Sequence, residues 1–205
     1  MSVTIHEVIV NAANSNLGSG NVMLGGFIEN EGADLATGKH TLTVDRVEFN
    51  ATAGTVMQHF YAGGRADNGM LTVKEAVISL ENSTSGNIYG GGYSDGCGKN
   101  IVENVTITVG TGSTVRNVIA GGHNAGSTVE NATVEIAGGT VQYSVYGGGN
   151  NAAVENATVI LSGGTVAGDV KAGNVAGSQS VGSAQVVFKG SAYTSVAGTV
   201  SGAGA

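Results

Sequence analysis

Six carboxylates have the types and spacing most suggestive of chemistry. Asp45, Glu103, Glu130 and Glu155 recur at one position of a repeated segment, and Glu48 and Glu135 occupy its neighbouring face. Carboxylates clustered on one groove are the catalytic equipment of glycan-cleaving enzymes, and a stack of them about 4.8 Å apart would make a weak cation site. The plainer role is a solvated ridge that keeps a strand-rich surface soluble, and that is the role assigned here. His6, His40, His59 and His123 share no repeat position and have no carboxylate at a recognisable spacing. No Ser-His-Asp or metal-ligand pattern emerges. The single Cys97 can form no internal disulfide and reads as an incidental thiol in a Gly-rich loop. Gly91-Gly92-Tyr93-Ser94-Asp95-Gly96 resembles a calcium-binding turn, but the nonapeptide period that such turns require is missing. The expectation is therefore no catalytic residues, no metal and no cofactor.

Two further columns carry more information. Tyr61, Tyr89 and Tyr146 fall at equivalent positions, with Met23, Ile119 and Lys171 as their counterparts, each followed within two residues by Gly. Alternation points these side chains outward, which predicts an exposed aromatic strip suited to sugar rings or to a neighbouring rod. Asn104, Asn131 and Asn156 also recur at one position. They are expected at a corner, where Asn tolerates left-handed backbone and each amide bonds to the Asn above and below. All three lie in Asn-X-Thr triplets, as does Asn50, and Asn82 lies in Asn-Ser-Thr. These are glycan acceptors in a eukaryotic secreted chain, but their coincidence with the repeat makes corner geometry the better explanation.

The repeat that aligns these residues is explicit. Val129-Glu130-Asn131-Ala132-Thr133-Val134 and Val154-Glu155-Asn156-Ala157-Thr158-Val159 match at every position, and Val102-Glu103-Asn104-Val105-Thr106-Ile107 fits the same template. Looser copies begin at Ile5, Val44, Val73 and Val181. Measured between Val8, Val47, Ala76, Val105, Ala132, Ala157 and Ala184, the spacings are 39, 29, 29, 27, 25 and 27 residues. A second block follows each copy, as in Gly139-Thr140-Val141 and then Val145-Tyr146-Gly147-Gly148-Gly149. Apolar residues alternate with polar ones, which means strands, and no window has a helical period. A propeller blade needs roughly 40 residues, too many for these units. The unit suits one coil of a parallel β-helix.

Composition closes off other classes. The 205 residues include 36 Gly, no Pro and no Trp, with 11% charged and 41% hydrophobic residues. That excludes collagen and disfavours a disordered linker. Eight Lys and Arg against fifteen Asp and Glu, a net charge of -7, leave no basic surface for nucleic acid. No run of about 18 apolar residues exists to insert into a membrane. Residues 1–11 lack the basic and continuous apolar regions of a signal peptide.

The unit Val-Glu-Asn-Ala-Thr-Val-x-Ile-x-Gly-Gly-Thr-Val followed by Val-Tyr-Gly-Gly-Gly resembles the Gly-rich β-strand repeats of bacterial surface proteins, including autotransporter passengers and large adhesins. It covers residues 100–175 tightly and the remainder loosely. The resemblance implies a right-handed β-helix displayed outside a bacterial cell as a stalk, spacer or adhesin. The expectation is an all-β single domain over 1–205, a parallel solenoid of about seven coils. Residues 1–40 form a longer, irregular first coil and a candidate partial cap, 41–190 the regular coils, and 191–205 an incomplete last coil. The function expected is a non-enzymatic scaffold or adhesin segment whose partners are copies of itself, end to end as filaments or side by side, or a host glycan or protein. The alternative is a carbohydrate-binding or carbohydrate-cleaving β-helix similar to phage tailspikes. An ice-binding face needs flat Thr ranks, and Thr106, Thr133 and Thr158 are too few.

Overall fold

A computed structural model describes residues 2–13, 21–28, 41–53, 59–67, 69–94, 98–175, 179–189 and 194–202. The chain is an all-β parallel solenoid with three ladders. In the first face, strands Ser2–Ala13, Thr41–Ala53, Met70–Leu80, Lys99–Val109, Ser127–Val141, Ala153–Val166 and Val181–Phe188 stack in parallel. The second face runs through Asn21–Met23, His59–Tyr61, Thr84–Tyr89, Thr114–Ile119, Val145–Tyr146, Val170–Lys171 and Val200–Ser201. The third is short: Phe27–Ile28, Arg65–Ala66 and Tyr93–Ser94, continued by single bridges through His123 and Asn150. Among the described residues five turns close through all three ladders, so the sequence-based count of seven is approximate. Among the described residues the sixth and seventh coils carry first- and second-face strands with no third-face strand or bridge. No helix among the described residues is long and apolar enough to cross a membrane.

The register follows the repeat. Val8, Val47, Ala76, Val105, Ala132, Ala157 and Ala184 pair in one unbroken column. Inward columns of β-branched and aliphatic residues fill the bore, with Phe49, Ile78, Ile107, Val134 and Val159 all at 1% exposure or less. Two rings, Phe49 and Phe60, meet across the bore at 4.8 Å between centroids. β-branched side chains suit this role, since their stiff χ1 packs well on a pleated surface.

In the fourth to sixth coils alternation breaks at the same position of the first face. Val102 and Val105 are buried while Glu103 and Asn104 between them both face outward, and Glu130-Asn131 and Glu155-Asn156 repeat the break. Two successive outward residues bend the first face into a corner. None of Asn104, Asn131 and Asn156 has positive φ; the left-handed Asn residues are Asn82, Asn124 and Asn151, which lie in other turns. The corner comes from a local slip in the pleat rather than from left-handed backbone.

At the corner between the second and third faces, Gly26 and Gly64 take positive φ, while a second, steric requirement acts on the glycines beside them. Gly63, Gly91 and Gly121 do not have positive φ. They stack on one another so closely that side chains have no room: a Cβ on Gly91 would lie 2.6 Å from the Gly122 nitrogen and 2.9 Å from Val129 Cγ2. Buried polar side chains secure the same corner, with Asn100 Nδ2 donating to the Gly63 carbonyl at 2.6 Å and Ser127 Oγ to the Gly92 carbonyl at 2.9 Å. Each satisfies a backbone acceptor that the tight turn removes from water.

Gly91→Ala should therefore lower stability by about 1–3 kcal/mol, the range for overpacking. Gly202→Ala, whose Cβ would meet only the Ala184 carbonyl at 3.6 Å, should be near neutral. Urea denaturation midpoints of the two variants check the difference, and equal midpoints would mean that the corner glycines are not sterically required.

Candidate functional site

The outward corner of the first face carries two adjacent columns. The first reads His6, Asp45, Lys74, Glu103, Glu130 and Glu155, and the second Glu7, Arg46, Glu75, Asn104, Asn131 and Asn156. In the early coils charges alternate in sign along each column. Asp45 accepts from Lys74 Nζ at 2.6 Å and from His6 Nδ1 at 2.8 Å, and these two partners hold its carboxyl below the usual aspartate range. Arg46 bonds to Glu75, lies 3.6 Å from Glu7 and donates to Glu48 at 2.7 Å. The Asn50 amide and the Arg46 guanidinium together hold Glu48 low.

In the fourth to sixth coils the second column becomes amides, and Ser183 follows in the seventh. Asn131 Nδ2 donates to Asn104 Oδ1 at 3.1 Å, and Asn156 Nδ2 to Asn131 Oδ1 at 3.0 Å. An amide has a donor and an acceptor, so identical residues can chain along the axis, which carboxylates cannot do. Glu103, Glu130 and Glu155 stay in the neighbouring column, where a shallow depression of about 410 Å³ runs past Glu130 and Glu155. Lys74 separates Asp45 from these three glutamates. Glu48 and Glu135 occupy different columns, the former between Ile9 and Val77 and the latter between Thr108 and Ile160. Thr106, Thr133 and Thr158 do stack, and Gln185 Nε2 donates to Thr158 Oγ1 at 2.9 Å.

The aromatic column has the expected register and an unexpected environment. Met23, Tyr61, Tyr89, Ile119, Tyr146 and Lys171 succeed one another along the second face. Tyr61 and Tyr89 nevertheless retain only 5% and 6% of their exposure, so they are not a surface strip. The glycine corner folds the third face back against the outer side of the second and creates a small second core. In it Tyr61 stacks on Tyr89 at 4.7 Å and 9°, and Tyr93 meets Tyr61 edge-on at 5.8 Å. Ile119 is buried there too, with Met23, Tyr93, Tyr146 and Val175 packed around. Burial raises the hydroxyl pKa of Tyr61 and Tyr89 above the ordinary phenol range. Tyr146 is half-buried, and the most exposed tyrosine among the described residues is Tyr143 at 53%, with the Arg116 guanidinium 5.4 Å above its ring.

One array escaped the sequence. Asn117 Nδ2 donates to Asn87 Oδ1 at 2.9 Å, the Ser144 amide to Asn117 Oδ1 at 3.1 Å, and the Asp169 amide to Ser144 Oγ at 3.0 Å. The Thr199 amide and hydroxyl then donate to Asp169 Oδ1 at 2.9 and 3.0 Å, which together with Lys171 holds that carboxyl low. The residue type changes at almost every rung, and only the Asn pair two positions before the aromatic column hinted at it.

Among the described residues no three His, Cys, Asp or Glu side chains gather as a metal site would require. Cys97, Asp95, Gly96 and His40 lie outside the described residues. In comparisons with known proteins, no family model, no curated protein and no solved structure matches this chain.

Tyr89→Ser removes a buried, stacked ring and should destabilise the chain by about 3 kcal/mol, as large core truncations do. Thermal or urea melts measure this directly. An unchanged midpoint would mean that the ring contributes no packing and stands free.

Proposed function

We propose that the chain is a non-enzymatic structural and interaction protein, a β-helix scaffold or adhesin segment of a bacterial surface that stacks end to end with further coils. The observation carrying this reading is the state of the inward columns at the terminal coils. Leu161 is 1% exposed, whereas Phe188, its successor in the same column, is 65% exposed. Val181, Ala184 and Val186 are likewise only partly buried. At the opposite end Ile5 is 39% exposed, and Val8 and Val10 are partly buried. A solenoid end of this kind presents apolar side chains and unpaired backbone that another coil can cover. The resemblance of the repeat to Gly-rich arrays of bacterial surface proteins supports the location. The sparse, dispersed cations speak against a nucleic-acid partner.

A carbohydrate-binding β-helix is the second reading, and the exposed Tyr143 ring beside Arg116 favours it. Stacking of a sugar on a flat aromatic face is the chemistry available there.

Negative-stain electron microscopy and sedimentation across a concentration series test the first reading. Rods that lengthen with concentration support stacking of copies. Discrete particles at every concentration would overturn assembly of this chain with itself, and glycan binding lost in Tyr143→Ala would then favour the second reading.

A further inference from the structure

The small outer core holds two histidines that end-to-end stacking does not use. His59 and His123 bracket Tyr89, their ring centroids 6.4 and 5.7 Å from its own, and His123 also stacks on Tyr93 at 5.2 Å and 18°. The Nδ1 atom of each imidazole is shielded from solvent and has no hydrogen-bond partner among the described residues. A neutral ring tolerates this, because its hydrogen can reside on Nε2 and leave Nδ1 a bare acceptor. An imidazolium does not. Its second proton must sit on Nδ1, where no described residue accepts it, and a buried donor without a partner is costly.

Among the described groups packed around these rings, Asn124 beside His123 relieves part of that cost and none does so at His59. On the second face His59 stands between Asn21 and Asn87, with the phenols of Tyr61 and Tyr89 alongside and the Arg116 cation from a later coil opposing a further positive charge. On the third, His123 lies between Tyr93 and Asn150. Arg65 sits 5.2 Å from the Tyr93 ring and pairs with Asp67 at 2.7 Å, so that carboxylate is engaged by a cation of its own. Burial is the main cause that pushes both imidazoles below the ordinary histidine range; Asn124 opposes the shift at His123.

We propose that His59 and His123 form an acid-sensitive latch, in which proton uptake by the two rings opens the outer core and exposes Tyr61 and Tyr89 while the bore stays folded. The bore can survive because its side chains form a separate cluster on the other side of the same strands. The direction follows from linkage. The folded corner keeps both rings neutral, whereas the opened chain takes up protons near pH 6.5, so the latch is at full strength above that pH and weakens as pH falls through the lowered folded values. Carboxylate titration belongs to a lower window, near pH 4.

The test follows the isotope-labelled chain from about pH 7.5 to about pH 4.5, spanning the histidine range. Imidazole NMR shifts, tyrosine near-ultraviolet circular dichroism, binding of an apolar fluorescent dye and far-ultraviolet circular dichroism are read together, in the wild type and in His59→Gln/His123→Gln. The latch predicts two imidazoles titrating below pH 6.5. At the same midpoint the tyrosine signal should collapse and dye fluorescence rise several-fold, with the strand signal unchanged; the double variant should be flat across that interval. Imidazoles titrating at or above pH 6.5, or an identical tyrosine transition in the double variant, would overturn it. Should the double variant fail to fold, the wild type decides alone: imidazole and tyrosine midpoints that differ overturn the latch, and midpoints that coincide sustain it.

Discussion

Axial stacking of equivalent residues is the constraint on which everything else in this molecule depends. In a parallel solenoid the backbone of each coil bonds to the coils above and below, about 4.8 Å away. Every side chain therefore lies against its counterpart from the next coil, and a column must be chemically compatible with itself. Inward columns meet that requirement easily, because Val on Val or Ile on Ala is simply packing. Outward columns and corners face a harder problem, since like charges in register repel and tight turns leave no room for side chains.

The outer corner of the first face solves that problem in successive ways. In the early coils Asp45 takes Lys74 and His6 as neighbours, and Arg46 takes Glu75 and Glu7. Exposed pairs of this kind contribute little to stability. Their value lies in keeping the stack free of like-charge contacts. Later coils use Asn104, Asn131 and Asn156, whose amides bond head to tail. On the second face Asn87, Asn117, Ser144, Asp169 and Thr199 reach the same end with mixed residues, some of the bonds running from backbone amides.

Much of this was legible in the sequence because stacking forces repetition. The exact match between the segments at Val129 and Val154 set the register, and that register extends to Val8 at one end and Ala184 at the other. What the repeat could not convey was how one face folds over another. Outward alternation of Tyr61 and Tyr89 is correct locally, yet the glycine corner returns the third face across them and turns an outer side into a second core. Burial there depends on Tyr93 and His123, which share no residue type across the repeat. The corner glycines serve two needs, positive φ at Gly26 and Gly64 and close approach to the next coil at Gly63, Gly91 and Gly121, and the repeat does not separate them. The mixed polar ladder stayed hidden for a third reason: hydrogen bonding conserves donor and acceptor, not residue identity.

Register is the central claim, and spin labels in a single outward column test it most directly. In a Cys97→Ser background, labels at Thr133 and Thr158 should sit one coil apart, about 5 Å between backbones, and labels at Thr106 and Thr158 two coils apart, about 10 Å. Continuous-wave electron paramagnetic resonance should then show strong broadening for the first pair and weaker broadening for the second. Spectra of isolated, non-interacting labels for the Thr133 and Thr158 pair would contradict the stacked solenoid itself.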